Sequence, residues 1–153
     1  MLLFLIPFLF LNCKRRRECK GSPYSGEIVN EYSFDSKSSI TIDRSQNYII
    51  NDTNSFRNFL INNYYLYNPI NNPGDSIICN IDFSKFSLLG KYTSGACSDF
   101  YRNVSFDSEN NNVIYSIKIC DSRFCKKLIS SQNWVVINKI PTNYSVEFQT
   151  KEY

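Results

Sequence analysis

The sequence predicts an α+β fold: a mostly antiparallel sheet, or a partly open barrel, carrying one short helix. Three observations lead there. Short apolar runs rich in Ile, Val, Tyr and Phe recur along the chain, separated by clusters of Asn, Pro and Ser. One of them, 113–119, alternates with period two and puts Val113, Tyr115, Ile117 and Ile119 on one face. Only the stretch 54–64 places apolar residues at helical spacing, with Phe56 and Leu60 on its buried side. One short helix among many strands falls in the α+β class.

Residues 1–12 (MLLFLIPFLFLN) carry no charge and consist largely of Leu, Phe and Ile. Crossing a bilayer takes roughly 20 apolar residues, so this run is too short for a span and suits the apolar region of a secretory signal. At Cys13 the apolar run gives way to Lys14-Arg15-Arg16-Arg17. The residues Phe10-Leu11-Asn12-Cys13 resemble a bacterial lipobox. That resemblance implies cleavage before Cys13, lipidation of its thiol, and a palmitate-bearing lipoprotein held in the cell envelope and facing the periplasm. The expected organisation is a signal peptide at 1–12, a lipidated basic tether at 13–25 and a single domain at 26–153.

The charge distribution fits a tether beside a membrane. Segment 14–20 (KRRRECK) has a net charge of +4 while the whole chain has +3, which leaves −1 for residues 21–153. Basic residues next to anionic headgroups gain about 1 kcal/mol each. A domain with no net positive charge has no electrostatic footprint for nucleic acid, and nucleic acid is not expected as a partner.

The domain reads as follows. Residues 26–34 (GEIVNEYSF) predict a first strand; 39–42 and 48–50 predict two more. Asp52 or Thr53 is placed to cap the helix over 54–64. Asn68-Pro69 and Asn71-Asn72-Pro73-Gly74 break the chain. Strands are then expected over 76–81, 86–90, 102–106, 113–119, 134–137 and 144–148, with an Asn-rich turn at 108–112 and another turn at Pro141-Thr142-Asn143.

The order of a short helix, "IDFSKFSLLGKY", a loop with "SGACSDF", a hairpin and the closing "NWVVINKIPTNYSVEF" resembles small uncharacterised bacterial envelope lipoproteins. It is more distantly similar to the C-terminal domain of the accessory subunit of dentilisin-type protease complexes. The resemblance covers about residues 45–149. It rests on packing and turn motifs, with Asp82-Phe83 and the Pro141 turn the nearest to signatures. It implies a fold more than a function, since the family has no agreed activity.

Cysteine usage points the same way. With Cys13 lipidated and Cys19 in the tether, Cys79, Cys97, Cys120 and Cys125 remain, in a compartment where disulfides persist. Their spacing lacks the close pairs of a zinc site, and the chain has no His to complete one. Disulfides are expected. Four cysteines allow three pairings; the positions favour Cys97 with Cys125 and leave Cys79 with Cys120 open, with the local pair Cys120–Cys125 as the alternative.

The absence of His excludes Ser-His-Asp and Cys-His nucleophile systems, and the five glycines form no phosphate loop. No metal or cofactor is expected. Carboxylate chemistry on Asp82, Asp99 and Asp107 is the one catalytic alternative, as a hydrolase of envelope glycans. The favoured expectation is non-catalytic: a lipid-anchored binding or accessory module for an envelope protein or polymer. Its expected contact residues are Tyr64, Tyr65 and Tyr67, because Tyr brings large contact area at low entropic cost.

Overall fold

The computed structural model describes residues 22–34, 43, 45–63, 81–120 and 127–153. In chain order the elements are β1 (Tyr24–Gly26), β2 (Ile28–Tyr32), β3 (Asn47–Ile50), α1 (Thr53–Asn63), β4 (Phe86–Ala96), β5 (Asp99–Asp107), β6 (Asn112–Cys120), β7 (Leu128–Asn138) and β8 (Ser145–Glu152). Among the described residues the strands form two four-stranded sheets and no closed barrel. The outer sheet has the order β1-β5-β6-β8 and the central sheet β2-β7-β4-β3. The central sheet is antiparallel throughout. In the outer sheet only β5–β6 is antiparallel, while β1–β5 and β6–β8 run parallel. The architecture is α+β and mostly antiparallel, and the barrel alternative is replaced by two stacked sheets under one helix.

Period-two patterning decides which layer each residue joins. On β6, Val113, Tyr115, Ile117 and Ile119 are all buried. They meet Leu89 of β4 and Val135 and Ile137 of β7 in the core between the sheets. On the same two central strands Leu88, Trp134 and Val136 point the other way and pack under Phe56, Phe59 and Leu60 of α1. β4 and β7 are thus covered on both faces, which is why their middles read as continuous apolar runs, LLG and WVVI, rather than alternating. Burying both sides of two strands lets two apolar clusters form with one 11-residue helix among the described residues.

Local signals set the boundaries. The Asp52 carboxylate accepts the amide of Ser55 (2.8 Å) and the Ser55 hydroxyl (2.7 Å), capping α1 as expected. The β5–β6 hairpin turns at the expected Asn cluster, where Asn111 takes the left-handed conformation (φ 50°) that Asn tolerates. The strand predicted over 26–34 is β2, and its first predicted residue, Gly26, instead ends β1 in the other sheet. Gly26 has φ +73°, and a Cβ there would lie 2.0 Å from the Val104 carbonyl oxygen, so only glycine turns this corner. Tyr24 and Ser25, assigned by the sequence to the tether, belong to β1.

Cys97 sits at the turn between β4 and β5, and Cys120 closes β6; both are disulfide-bonded. The Cys97 amide donates to the Lys127 carbonyl oxygen at 2.8 Å. Cys13, Cys19, Cys79 and Cys125 lie outside the described residues, as do Tyr64, Tyr65 and Tyr67, the strand expected at 39–42 and residues 76–80 of the next one. No helix among the described residues is long and apolar enough to cross a membrane.

Candidate functional site

The three aspartates of the catalytic alternative sit at different turns and strand ends, and Asp99 and Asp107 are not a facing pair. Asp99 and Asp107 are the two ends of one strand, β5, so their backbones stand about 27 Å apart at ~3.4 Å per residue. Asp82 serves the turn that precedes β4. It accepts the amide of Ser84 at 3.0 Å and meets Lys85 at 3.4 Å. Asp107 accepts the amides of Glu109 and Asn110, each at 3.1 Å, and the Asn110 side-chain amide at 2.7 Å. Hydrogen bonds from Ser84 to Asp82, and from Asn110 to Asp107, hold both carboxyls below their ordinary range. A general acid at neutral pH needs the opposite displacement. Among the described residues no group of three or more acidic or Cys side chains is placed to hold a metal ion.

A cleft of about 490 Å³ opens between β3 and α1. Its walls include Asp43, Gln46, Asn47, Tyr48, Phe59 and Asn62. The floor is aromatic: Tyr48 and Phe59 meet edge to face at 5.2 Å, and both rings pack on Trp134. Burial pushes the Tyr48 hydroxyl above the ordinary phenol range. The rim is made of amides. The Lys91 ammonium donates to Asn47 Oδ1 at 2.7 Å, and Asn63 Nδ2 donates to the Phe59 carbonyl at 2.8 Å, fixing two of them. Asp43 accepts the Ser45 amide (2.9 Å) and hydroxyl (2.7 Å), which keep its carboxyl below the usual range and ionised at neutral pH. Rings with amide and carboxylate hydrogen-bonding groups around them suit a polar, weakly charged ligand such as a sugar or an extended peptide. Asn62 and Asn63 are also the last described residues before the expected contact residues Tyr64, Tyr65 and Tyr67.

The outer face of the outer sheet carries a second depression, of about 460 Å³, that sequence reasoning missed. Cross-strand register puts Tyr101, Lys118 and Lys151 in one row across β5, β6 and β8. Ser25, Asn103, Ser116 and Gln149 form the next row across all four strands. The polar alternation of β6 is readable in the sequence, but the parallel pairing that brings β8 beside it is not.

Compared with protein-family profiles, curated proteins and solved structures, the chain matches none.

Proposed function

We propose that the protein is a lipid-anchored binding or accessory module of the bacterial cell envelope, tethered through Cys13, facing the periplasm and carrying no chemistry of its own. The observation that carries the binding role is the cleft between β3 and α1, with an aromatic floor and amide rim. It leads in sequence to the Tyr64-Tyr65-Leu66-Tyr67 run that supplies the remaining contact residues. The ligand is a protein segment or polymer of low charge, in keeping with a domain whose net charge is −1 once the tether is set aside. The turn-bound Asp82 and Asp107, and the separation of Asp107 from Asp99 along β5, support the non-catalytic reading over glycan hydrolysis.

Two experiments test this. Labelled palmitate fed to expressing cells is expected to enter the wild-type protein and not Cys13→Ala; an unlabelled wild type removes the anchor. More than one acyl chain is needed for stable membrane attachment, so Cys13→Ala is also expected in the soluble fraction or as unprocessed precursor. For the binding role, chemical cross-linking in intact cells followed by affinity capture is expected to recover a partner with the wild type. Tyr65→Ala and Tyr67→Ala are expected to recover less at an unchanged melting temperature. Hydrolysis of an envelope glycan by the pure protein, lost in Asp82→Asn, would reverse the reading.

A further inference from the structure

The cleft between β3 and α1 is electrostatically one-sided. The described residues that line it include one acid, Asp43, and no Lys or Arg. Asp43 makes no ion pair among the described residues. Its carboxylate is oriented within its own turn by the Ser45 amide and hydroxyl, at 2.9 Å and 2.7 Å, and both bonds favour the ionised form. The same turn sets a ring beside the acid, because the Tyr48 hydroxyl donates to the Asp43 carbonyl oxygen at 3.3 Å. Tyr48 is partly exposed, and Phe59 and Trp134 hold its ring in place at 5.2 Å and 5.3 Å between centroids. A carboxylate beside a fixed aromatic ring attracts an organic cation twice, by its charge and through the negative face of the ring. The Lys91 ammonium reaches Asn47 Oδ1 at the rim, but it also lies over the ring of Phe148 in β8, 5.9 Å from the centroid, which turns it toward the outer sheet.

We propose that the cleft selects a basic side chain, Lys or Arg, in an extended segment of a protein partner, with the cation set between the Asp43 carboxylate and the Tyr48 ring. The assignment rests on the cleft being the partner site proposed above, and it names the group that this site recognises. One basic residue in an otherwise neutral segment keeps the ligand's overall charge low. The amides suit the backbone of such a segment. Asn47, whose Oδ1 holds Lys91, keeps its Nδ2 donor, and Asn63, whose Nδ2 is spent on the Phe59 carbonyl, keeps its Oδ1 acceptor. One stands on the β3 wall and the other on the α1 wall, and a peptide unit asks for one donor and one acceptor. The volume of about 490 Å³ falls within the roughly 300–1,000 Å³ of sites that hold a compact ligand. Other ligands fit less well. A hard metal ion such as Ca²⁺ takes about six to eight oxygen ligands, and no group of three or more metal-binding side chains occurs among the described residues. A phosphate- or carboxylate-bearing ligand meets the Asp43 charge with no cation of the lining to offset it. A neutral sugar leaves Asp43 without a counter-charge.

Titration calorimetry on the full-length protein in detergent tests this site. The probes are blocked peptides Thr-Val-X-Val-Thr in which X is Lys, Arg, norleucine or Glu; norleucine keeps the aliphatic stem of Lys without its charge. Trp134 is the only tryptophan of the chain and packs on Tyr48 and Phe59, so its emission reports whether the cleft is filled. The Lys or the Arg peptide is expected to bind about five-fold or more tightly than the norleucine and Glu peptides. It is also expected to shift the Trp134 emission and to weaken as salt is raised. Asp43→Asn, which keeps an oxygen for the Ser45 amide, should erase that preference at an unchanged melting temperature. Asp43→Lys should reverse it in favour of the Glu peptide. Equal affinity for the four peptides, no binding of either basic peptide, or a preference that survives Asp43→Asn would overturn the proposal. So would binding that leaves the Trp134 emission unchanged, or tighter binding of a glucosamine hexamer than of both basic peptides. Cross-linking in intact cells separates this proposal from the binding role itself. Partner capture undiminished by Asp43→Asn removes the cation site and keeps the binding role, while no capture by the wild type removes both.

Discussion

Trp134 lies flat on the central sheet because its cross-strand partner, Gly90, has no side chain. A Cβ on Gly90 would come within 2.2 Å of the indole, and Trp134 is also the ring on which Phe34, Tyr48 and Phe59 converge. Gly90→Ala is therefore expected to lower stability by about 1–3 kcal/mol, the usual cost of overpacking. The check is a lower denaturation midpoint in urea with an unchanged slope; a wild-type midpoint would mean the ring does not sit there. Tyr115 shows the opposite device, a polar group admitted to the core with a partner. Its hydroxyl donates to the Asn133 carbonyl at 3.0 Å, and burial pushes it well above the ordinary phenol range. The burial of Tyr115 is legible in the period-two pattern. The glycine under Trp134 is not, since it depends on the register of two strands about 40 residues apart in sequence.

The start of α1 is fixed by one carboxylate. Hydrogen bonds from Ser55 hold Asp52 below its ordinary range. A carboxyl whose folded-state value is depressed stabilises the fold above its unfolded value, roughly pH 4. That contribution is lost as pH falls through the folded value. Asp52→Ala is thus expected to melt below wild type at pH 7, and the gap to narrow as the pH falls below 4. Asp52→Asn, which keeps a capping oxygen, should melt closer to wild type at neutral pH. Melting curves of the three proteins from pH 2.5 to pH 7 decide this; a gap independent of pH would contradict it. The cap, α1 and the Asn turn are all readable from local chemistry. The full lengths of β4 and β7 are not. Residues 91–96 and 128–133 are largely polar, and only their mutual pairing makes them strand. At this end of the molecule Asn133 Nδ2 donates to Thr93 Oγ1 at 2.6 Å, and Arg102 Nη2 donates to Ser131 Oγ at 2.8 Å. Hydrogen bonds thus take over from apolar contact, and hydrophobic patterning gives no signal of it.

At the scale of the molecule, α1, the central sheet and the outer sheet stack in that order around two apolar clusters, and the two depressions lie on opposite outer layers. Such a chain, with little helix and many turns, gains from covalent closure. Cys97 and Cys120 are both in disulfides, and the Cys97–Lys127 hydrogen bond brings the turn at Cys97 to within two residues of Cys125 along the chain. That contact favours Cys97–Cys125, leaving Cys79 for Cys120. Alkylation of envelope-isolated protein is expected to label none of the four before reduction and all four after it, with peptide mapping returning those two pairs. Reduction should cost about 2–4 kcal/mol per bridge; Cys120–Cys125 as the mapped pair would refute the assignment. The fold class, the helix and most strand positions follow from patterning. The division into two sheets does not, because Gly26 and the turn at Cys97 each pass the chain from one sheet to the other within two or three residues. The same holds for both depressions, which are assembled by register and layering from residues that look like ordinary polar surface in the sequence.

The central claim is that the face between β3 and α1 meets a partner in the envelope. A photo-crosslinking amino acid placed at Asn62, on the rim of that cleft, tests it in intact cells, with Asn110 in the β5–β6 turn as the control position. The account expects a discrete higher-mass adduct from position 62, lost when Tyr67→Ala is added, and none from position 110. Adducts of equal yield from both positions, or from position 110 alone, would contradict it.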